Sequence, residues 1–163
     1  MNSSARGPGA CRGVTLLELL VTLVILFILG AAVLPMTRIS DRRTRELELR
    51  QQLRELRQAL DRFKLDWDLK RLSQLESDVA NPDNGYPKTL EILVKGAPSG
   101  DSKGAVRKYL RRIPEDPITG TREWGLRCYS DEPDSTSWCG DDVYDIYSKG
   151  EGSALDGTSY RDW

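Results

Sequence analysis

The stretch RGVTLLELLVTLVILFILGAAVLPM, residues 12–36, decides the fold because it is an apolar run of membrane length. At about 1.5 Å per residue, the helix that it predicts from Val14 to Met36 extends roughly 33 Å, which matches the hydrocarbon core of a bilayer. Between Arg12 and Arg38 the one charged side chain is Glu18. A lone carboxylate in hydrocarbon costs about 3 kcal/mol, so we expect Glu18 to need a partner from outside its own segment.

A polar, basic segment, MNSSARGPGACRG, precedes this run. After Pro35 the run passes into TRISDRRTR without the small-residue cleavage pattern of a secretory signal, so we expect the membrane anchor to remain in the mature protein. Arginines stand on both sides of the run. The positive-inside rule therefore does not fix the orientation of the helix in the membrane.

The composition excludes several classes of function. The 163 residues carry 24 basic and 25 acidic side chains, and this near-neutral net charge of −1 gives no sign of nucleic-acid binding. The chain has no histidine, and neither a G-x-S-x-G nor a phosphate-binding loop pattern occurs. We therefore expect a structural or binding protein and not an enzyme.

The chain after the membrane run predicts an amphipathic helix with one apolar edge. Six large apolar residues follow at spacings of four and three: Leu49, Leu53, Leu56, Leu60, Phe63 and Trp67. This stripe packs either on the chain's own small domain or on other subunits, and both are compatible with the pattern. The helix should end before ANPDNGYP, where turn-forming residues accumulate.

The remaining chain predicts a small α+β head. KTLEILVKG indicates a short helix between Thr89 and Gly96, and SKGAVRKYLRRIP indicates another. EWGLRCYS and DVYDIYS predict two antiparallel strands joined by a long loop. The predicted fold class is therefore α+β, with a long N-terminal helix packed on a head that contains short helices and an antiparallel sheet.

Two cysteines, Cys128 and Cys139, lie in this head on either side of a turn-rich segment. Paired in an oxidising compartment, they would close a short loop and stabilise the fold by about 2 to 3 kcal/mol. The alternative is two unrelated thiols, since two cysteines alone do not establish a bond. A metal site at this pair is a poorer interpretation, because the chain has no His and no C-x-x-C.

The N-terminal residues resemble the prepilin cleavage site of type IV pilins and type II secretion pseudopilins. This resemblance implies that a prepilin peptidase cuts after Gly13 and methylates the new N-terminus at Val14. Glu18 is then the fifth mature residue, whose carboxylate meets the N-terminal amine of a neighbouring subunit during filament assembly. Val14 stands where the family usually has Phe, and Pro35 stands where many pilins have a helix-breaking proline.

Further segments resemble the G-type, or major, pseudopilin: NGYPKTLEILV, YLRRIPEDPITGTREW and the ending YDIYSKGEGSALDGTSYRDW. The resemblance implies a structural subunit of a type II secretion pseudopilus. It implies as partners further copies of the chain, the prepilin peptidase, minor pseudopilins and an inner-membrane assembly platform. The alternatives are a type IV pilin or minor pilin for adhesion, motility or DNA uptake, and a membrane-tethered binding protein.

The same resemblance divides the chain into four parts. Residues 1–13 are expected to form the leader, 14–38 a transmembrane segment, 39–80 the amphipathic continuation of the helix, and 81–163 the head. The expected location is the inner membrane, with a single membrane pass and the head in the periplasm. After assembly the protein would be part of a periplasmic filament.

G-type pseudopilins bind Ca²⁺ in a C-terminal loop, so the resemblance also raises calcium. Asp156, Asp162 and Glu151 are the candidate ligands, with Asp142 as an additional one. This loop departs from the family, because the Asp-Gly pair expected after Ser148 is absent and the loop is shorter. In the alternative, Tyr160 and Trp163 pack without an ion, Asp156 caps the turn, and Arg161 pairs with Asp162. The DEPD and CGDD clusters are interpreted as solvated loops.

Overall fold

The computed structural model describes residues 13–73, 78–100 and 104–163; for residues 32–39 it describes the backbone only. The predicted leader therefore lies outside the described residues, apart from Gly13. Contacts divide the chain into two compact units, one that ends at Asp41 and a second, Arg42–Trp163. The second unit thus includes the amphipathic part of the first helix together with the head.

The first unit contains the N-terminal part of helix α1 (Leu16–Asp68). Its large apolar side chains are exposed in the single chain, with Leu16 at 83% and Phe27 at 79%. Among the described residues, no helix has the length and apolar composition required of a membrane span. The backbone of α1 is helical at position 35. We expect the backbone just before Pro35 to be extended or melted in the assembled filament, and this stays a prediction.

The predicted apolar stripe on α1 is confirmed. All six of its side chains are buried, and none is more than 9% exposed. They form one core with residues from the rest of the head: Leu93, Trp124, Val143, Ile146 and Tyr160 are among them. The stripe therefore packs on its own domain.

Helix α1 ends at Asp68, before the boundary at residue 80 that the pattern predicted. Lys70 adopts a left-handed conformation with φ of 55°. The N–H of Arg71 donates to the Asp66 carbonyl at 2.9 Å, and the N–H of Lys70 donates to the Trp67 carbonyl at 2.9 Å. This pair of bonds is the Schellman motif, which normally places Gly at the left-handed position. A lysine there carries no sequence signal for a helix end.

The loop after the helix closes onto the last residue of the stripe. Gly85 has φ of 74°, and a Cβ atom at this position would lie 2.3 Å from Cδ1 of Trp67. Only glycine combines the left-handed backbone with such a close approach to an aromatic ring. The NGYP sequence therefore forms the turn that covers the end of the core.

The first predicted short helix is confirmed as α2 (Leu90–Lys95), which ends at Gly96 with φ of 97°. The Thr89 side chain makes no capping hydrogen bond. Strands β1 (Ala97–Pro98) and β2 (Val106–Arg107) follow as an antiparallel pair. Residue 106 thus lies in a strand, where the sequence predicted a second helix.

Non-local hydrogen bonds explain why that second helix is absent. The N–H groups of Tyr109 and Leu110 both donate to the Leu93 carbonyl at 2.9 Å, and the Ala105 carbonyl accepts from the N–H of Ser99. Leu93 lies in the last turns of α2, where carbonyls have no partner within the helix. Pairing with these groups outweighs the helical periodicity of residues 105–113, which is a weak preference by itself.

The two predicted strands of the head are confirmed as β3 (Gly125–Arg127) and β4 (Asp145–Tyr147). They pair antiparallel, with Leu126 opposite Ile146. Cys128 directly follows β3 and forms a disulfide with Cys139, as predicted, with Cα atoms 5.9 Å apart. A 3₁₀ helix (Tyr160–Asp162) ends the chain against this sheet. The α+β fold class is therefore confirmed.

Candidate processing and assembly site

The predicted cleavage site lies at the open start of the first unit. Gly13 and Val14 precede α1, and Val14 is 71% exposed. Apart from Gly13 and its chain neighbours, no heavy atom of the described residues lies within 4 Å of the position that a Cβ on Gly13 would occupy. Within the part of the chain that the structure describes, no residue covers the peptide bond between Gly13 and Val14.

The start of α1 has a cap, on the backbone of Glu18, that the sequence analysis did not predict. The backbone N–H of Glu18 donates to Oγ1 of Thr15 at 3.2 Å, so Thr15 acts as the N-cap of α1 and Glu18 is the third helical residue. This is half of a capping box, which has the pattern Thr-x-x-Glu. The sequence signal was present in TLLE. A carboxylate in the first turn is also favoured by the helix dipole.

The structure does not bring the candidate calcium ligands together. Among the described residues, one group of three potential ligand side chains has donor atoms within 4.8 Å of one another, namely Cys128, Asp131 and Cys139. Both sulfurs of that group are in the disulfide. Glu151 and Asp162 are exposed and belong to no such group in the described chain.

Asp156 already has partners for both carboxylate oxygens. Its Oδ2 accepts from Nη2 of Arg50 at 2.8 Å, and its Oδ1 accepts from Thr158 through Oγ1 at 2.6 Å and the backbone N–H at 3.0 Å. The Thr158 bonds, followed by Arg50, lower the pKa of Asp156. Calcium needs six to eight oxygen ligands, and a guanidinium in contact with the best candidate opposes a divalent cation. These residues do not fit a calcium site.

Asp142, the additional candidate, corrects the interpretation of CGDD as a solvated loop. It is 2% exposed, and its carboxylate accepts from the side-chain amides of Asn81 and Asn84 at 3.1 and 2.6 Å. It also accepts from the N–H of Tyr129 at 2.9 Å. The side chain therefore joins the loop after α1 to the disulfide region. The clustering of Asp and Gly gave no sign of this burial.

A second buried carboxylate, Asp116, organises the EDPITG turn. It accepts from the hydroxyl of Ser148 at 2.5 Å and from the N–H of Ile118 at 2.8 Å. Gly150 in turn donates its N–H to the Ser148 hydroxyl at 3.0 Å. Ser148 therefore links the Asp116 turn to the backbone of Gly150 inside the head.

Comparison with known proteins identifies the N-terminal segment. The family model for the prokaryotic N-terminal methylation motif matches residues 9–34, which include Gly13, Val14 and Glu18. No curated protein and no solved structure gave a significant match to the chain. The match covers the predicted cleavage site and the apolar start of α1, and the class of proteins with this motif is structural. The chain therefore carries the N-terminal methylation motif of type IV pilin-like proteins, on an α+β head that is consistent with a pilin-like fold.

Proposed function

We propose that this protein is a structural, non-enzymatic subunit of a type II secretion pseudopilus. In this proposal the prepilin peptidase removes residues 1–13 and methylates Val14, and the mature chains polymerise through α1. The observation that carries the proposal is the N-terminal methylation motif at residues 9–34. The exposed Gly13–Val14 junction, which precedes the helix, supports it.

Filament assembly would explain the apolar surface of the first unit. The side chains at 14–29 are exposed in the single chain, and such a large apolar surface requires a bilayer or other subunits to cover it. The apolar run of the sequence extends from Val14 to Met36, which includes residues whose side chains the structure does not describe. We propose that this run is a single-pass anchor in the inner membrane before assembly.

The head would lie in the periplasm. A disulfide between Cys128 and Cys139 persists in oxidising compartments and is rare in the cytosol. A periplasmic head places the N-terminal leader on the cytoplasmic side of the membrane. Minor pseudopilins and the inner-membrane assembly platform are the further partners in this proposal.

Two features favour a pseudopilus over a type IV pilus. The cysteine pair lies before the last strand, whereas fibre-forming pilins usually place a disulfide loop at the C-terminus of a larger head. The ending from YDIYSKG to the final Trp also resembles the G-type pseudopilin. A type IV pilin or minor pilin is the second candidate, because the motif at residues 9–34 is common to both systems.

Deletion of the gene separates these candidates. We expect the deletion to abolish export of folded proteins across the outer membrane and to leave surface pili intact, because a pseudopilus acts within the periplasm. The measurement compares secreted enzyme activity in culture supernatants with pilus counts by electron microscopy, and a plasmid copy of the gene should restore secretion. Loss of twitching or DNA uptake with normal secretion would instead assign the chain to a pilus.

A further inference from the structure

The C-terminal tail, residues 153–163, is held against α1 by a series of polar side chains. Glu46 is the most buried of them, at 8% exposure. Its Oε1 accepts from the N–H of Leu155 at 2.9 Å and from the hydroxyl of Tyr160 at 3.0 Å. Arg42, one turn earlier, pairs with Glu46 at 3.5 Å and donates to the Ser153 carbonyl. The start of the tail is thus joined to the helix at two successive turns.

Arg50 continues this series on the next turn of α1. Its guanidinium donates to Asp156, as described above, and lies 4.1 Å from the centre of the Trp163 ring. The indole N–H of Trp163 donates to Oγ1 of Thr158 at 2.6 Å. One guanidinium therefore contacts an acid in the middle of the tail and the aromatic ring at its end. Asp156 and Trp163 both contact Arg50, and Thr158 joins these two residues by hydrogen bonds to each of them.

Arg57 completes the series near the sheet. Its guanidinium donates to Asp145 Oδ1 at 2.7 Å, to the Ile146 carbonyl at 3.1 Å and to the Trp163 carbonyl at 2.8 Å. Tyr160 and Trp163 pack edge to face with ring centres 5.4 Å apart. Polar contacts with α1 therefore hold both members of the ring pair: Tyr160 donates its hydroxyl to Glu46, and the Trp163 carbonyl accepts from Arg57.

We propose that Arg50 takes the structural place of a calcium ion, so that the fold of the tail and the stability of the head do not depend on Ca²⁺. The resemblance to G-type pseudopilins implied a cation that neutralises acids of the tail. Here α1 supplies that positive charge as a covalently attached guanidinium, and the acids that could bind an ion are not assembled around one point.

The chemistry of the contacts supports this assignment. A guanidinium can donate to a carboxylate and stack on an aromatic ring at the same time, which neither a lysine nor a metal ion does in this geometry. The Arg50–Asp156 pair is about half exposed, with side chains at 51% and 48%. An ion pair that exposed is weak by itself. The effect of Arg50 comes from holding Asp156 and the Trp163 ring at the same time.

Thermal melts of the full-length protein in detergent micelles test the proposal. Tryptophan fluorescence reports unfolding, because Trp67 and Trp124 are buried in the core. We expect the wild-type midpoint to be the same in EGTA and in about 5 mM Ca²⁺, a concentration above the ~1 mM Kd of the weakest extracellular calcium modules. Arg50→Gln should lower the midpoint by several degrees, equally in both conditions. Arg50→Lys should restore only part of the loss, since it keeps the charge but not the planar group.

Arg54→Gln is the matched control, one turn further along the same helix. Arg54 is exposed, and within the described chain no hydrogen bond or ion pair involves it. This variant should melt like the wild type. A wild-type midpoint that calcium raises, or an Arg50→Gln midpoint equal to that of Arg54→Gln, would overturn the proposal.

Terbium, which occupies calcium sites, provides a direct second measurement. An ion bound by Asp156 would lie close to Trp163, and its luminescence would be sensitised by the indole. We expect no sensitised signal that calcium displaces. A signal that calcium displaces and that Asp156→Asn removes would contradict the assignment. Neither measurement requires filaments, so the inference can fail independently of the proposed function.

Discussion

Glu18→Ala is expected to leave membrane insertion intact, or improved, and to abolish filament assembly. The substitution removes the one charge of the apolar run, so insertion becomes less costly by about 3 kcal/mol on insertion scales. It also removes the carboxylate that, in the proposed assembly, meets the N-terminal amine of a neighbouring Val14. Membrane fractionation measures insertion, and electron microscopy of sheared filaments measures assembly.

Because Glu18 lies in the capped first turn of α1, a second variant is needed to separate its charge from the start of the helix. Glu18→Gln keeps the Thr-x-x-Gln form of the capping box with Thr15 but has no charge. We expect it to lose filaments as completely as Glu18→Ala, because the proposed contact across subunits is electrostatic. Thr15→Val, which removes the cap but keeps the charge, should assemble. Normal filaments from Glu18→Gln would show that Glu18 serves only the start of the helix.

Phe63→Ala is expected to destabilise the head by about 3 to 5 kcal/mol, the usual cost of removing a buried aromatic ring. Phe63 is the fifth residue of the α1 stripe and is fully buried, and its ring meets that of Tyr109 edge to face at 5.3 Å. A loss of this size is a large fraction of the stability of a small domain. Urea unfolding of the full-length protein in micelles, followed by tryptophan fluorescence, measures it.

Leu65→Ala is the control for this core variant. Leu65 lies two residues further along α1 and is 54% exposed, so its truncation should change the free energy of unfolding by no more than about 0.5 kcal/mol. If the two substitutions cost the same, the stripe does not pack on its own head. That outcome would favour the alternative in which it contacts other subunits.

The stripe, the antiparallel strands and the disulfide could be predicted from the sequence because each rests on a local or strongly periodic signal. The apolar spacing from Leu49 to Trp67 places all six large side chains on one face of a helix, and that face is buried. Gly96 ends α2 as expected. The helix predicted around Val106 failed because the carbonyl of Leu93 and the β1–β2 pairing are non-local. The end of α1 was misplaced because Lys70 occupies a position typical of glycine.

The N-terminal motif could be predicted from the pattern around Gly13, whereas the surroundings of the tail could not. Asp156 looks like a loop acid in the sequence, and nothing local shows that Arg50, 106 residues earlier, pairs with it. In the alternative without an ion, Tyr160 and Trp163 pack and Asp156 caps its turn, and the structure has both contacts. Within the described chain no ion pair joins Arg161 to Asp162, and the tail acid that is paired is Asp156, with Arg50. Such contacts depend on how the tail meets α1, which the tail's own residues do not encode.

The mass of the mature protein tests the central proposal most directly. The intact protein should be purified from membranes of a host with prepilin peptidase, and from an otherwise identical host without it. In the first host we expect a chain that begins at Val14 and carries one added methyl group, because the Gly13–Val14 junction is exposed and lies within the matched motif. In the second host, and for Gly13→Leu in the first, the leader should remain. A wild-type chain that begins at Met1 in both hosts, or after the apolar run, would contradict the account.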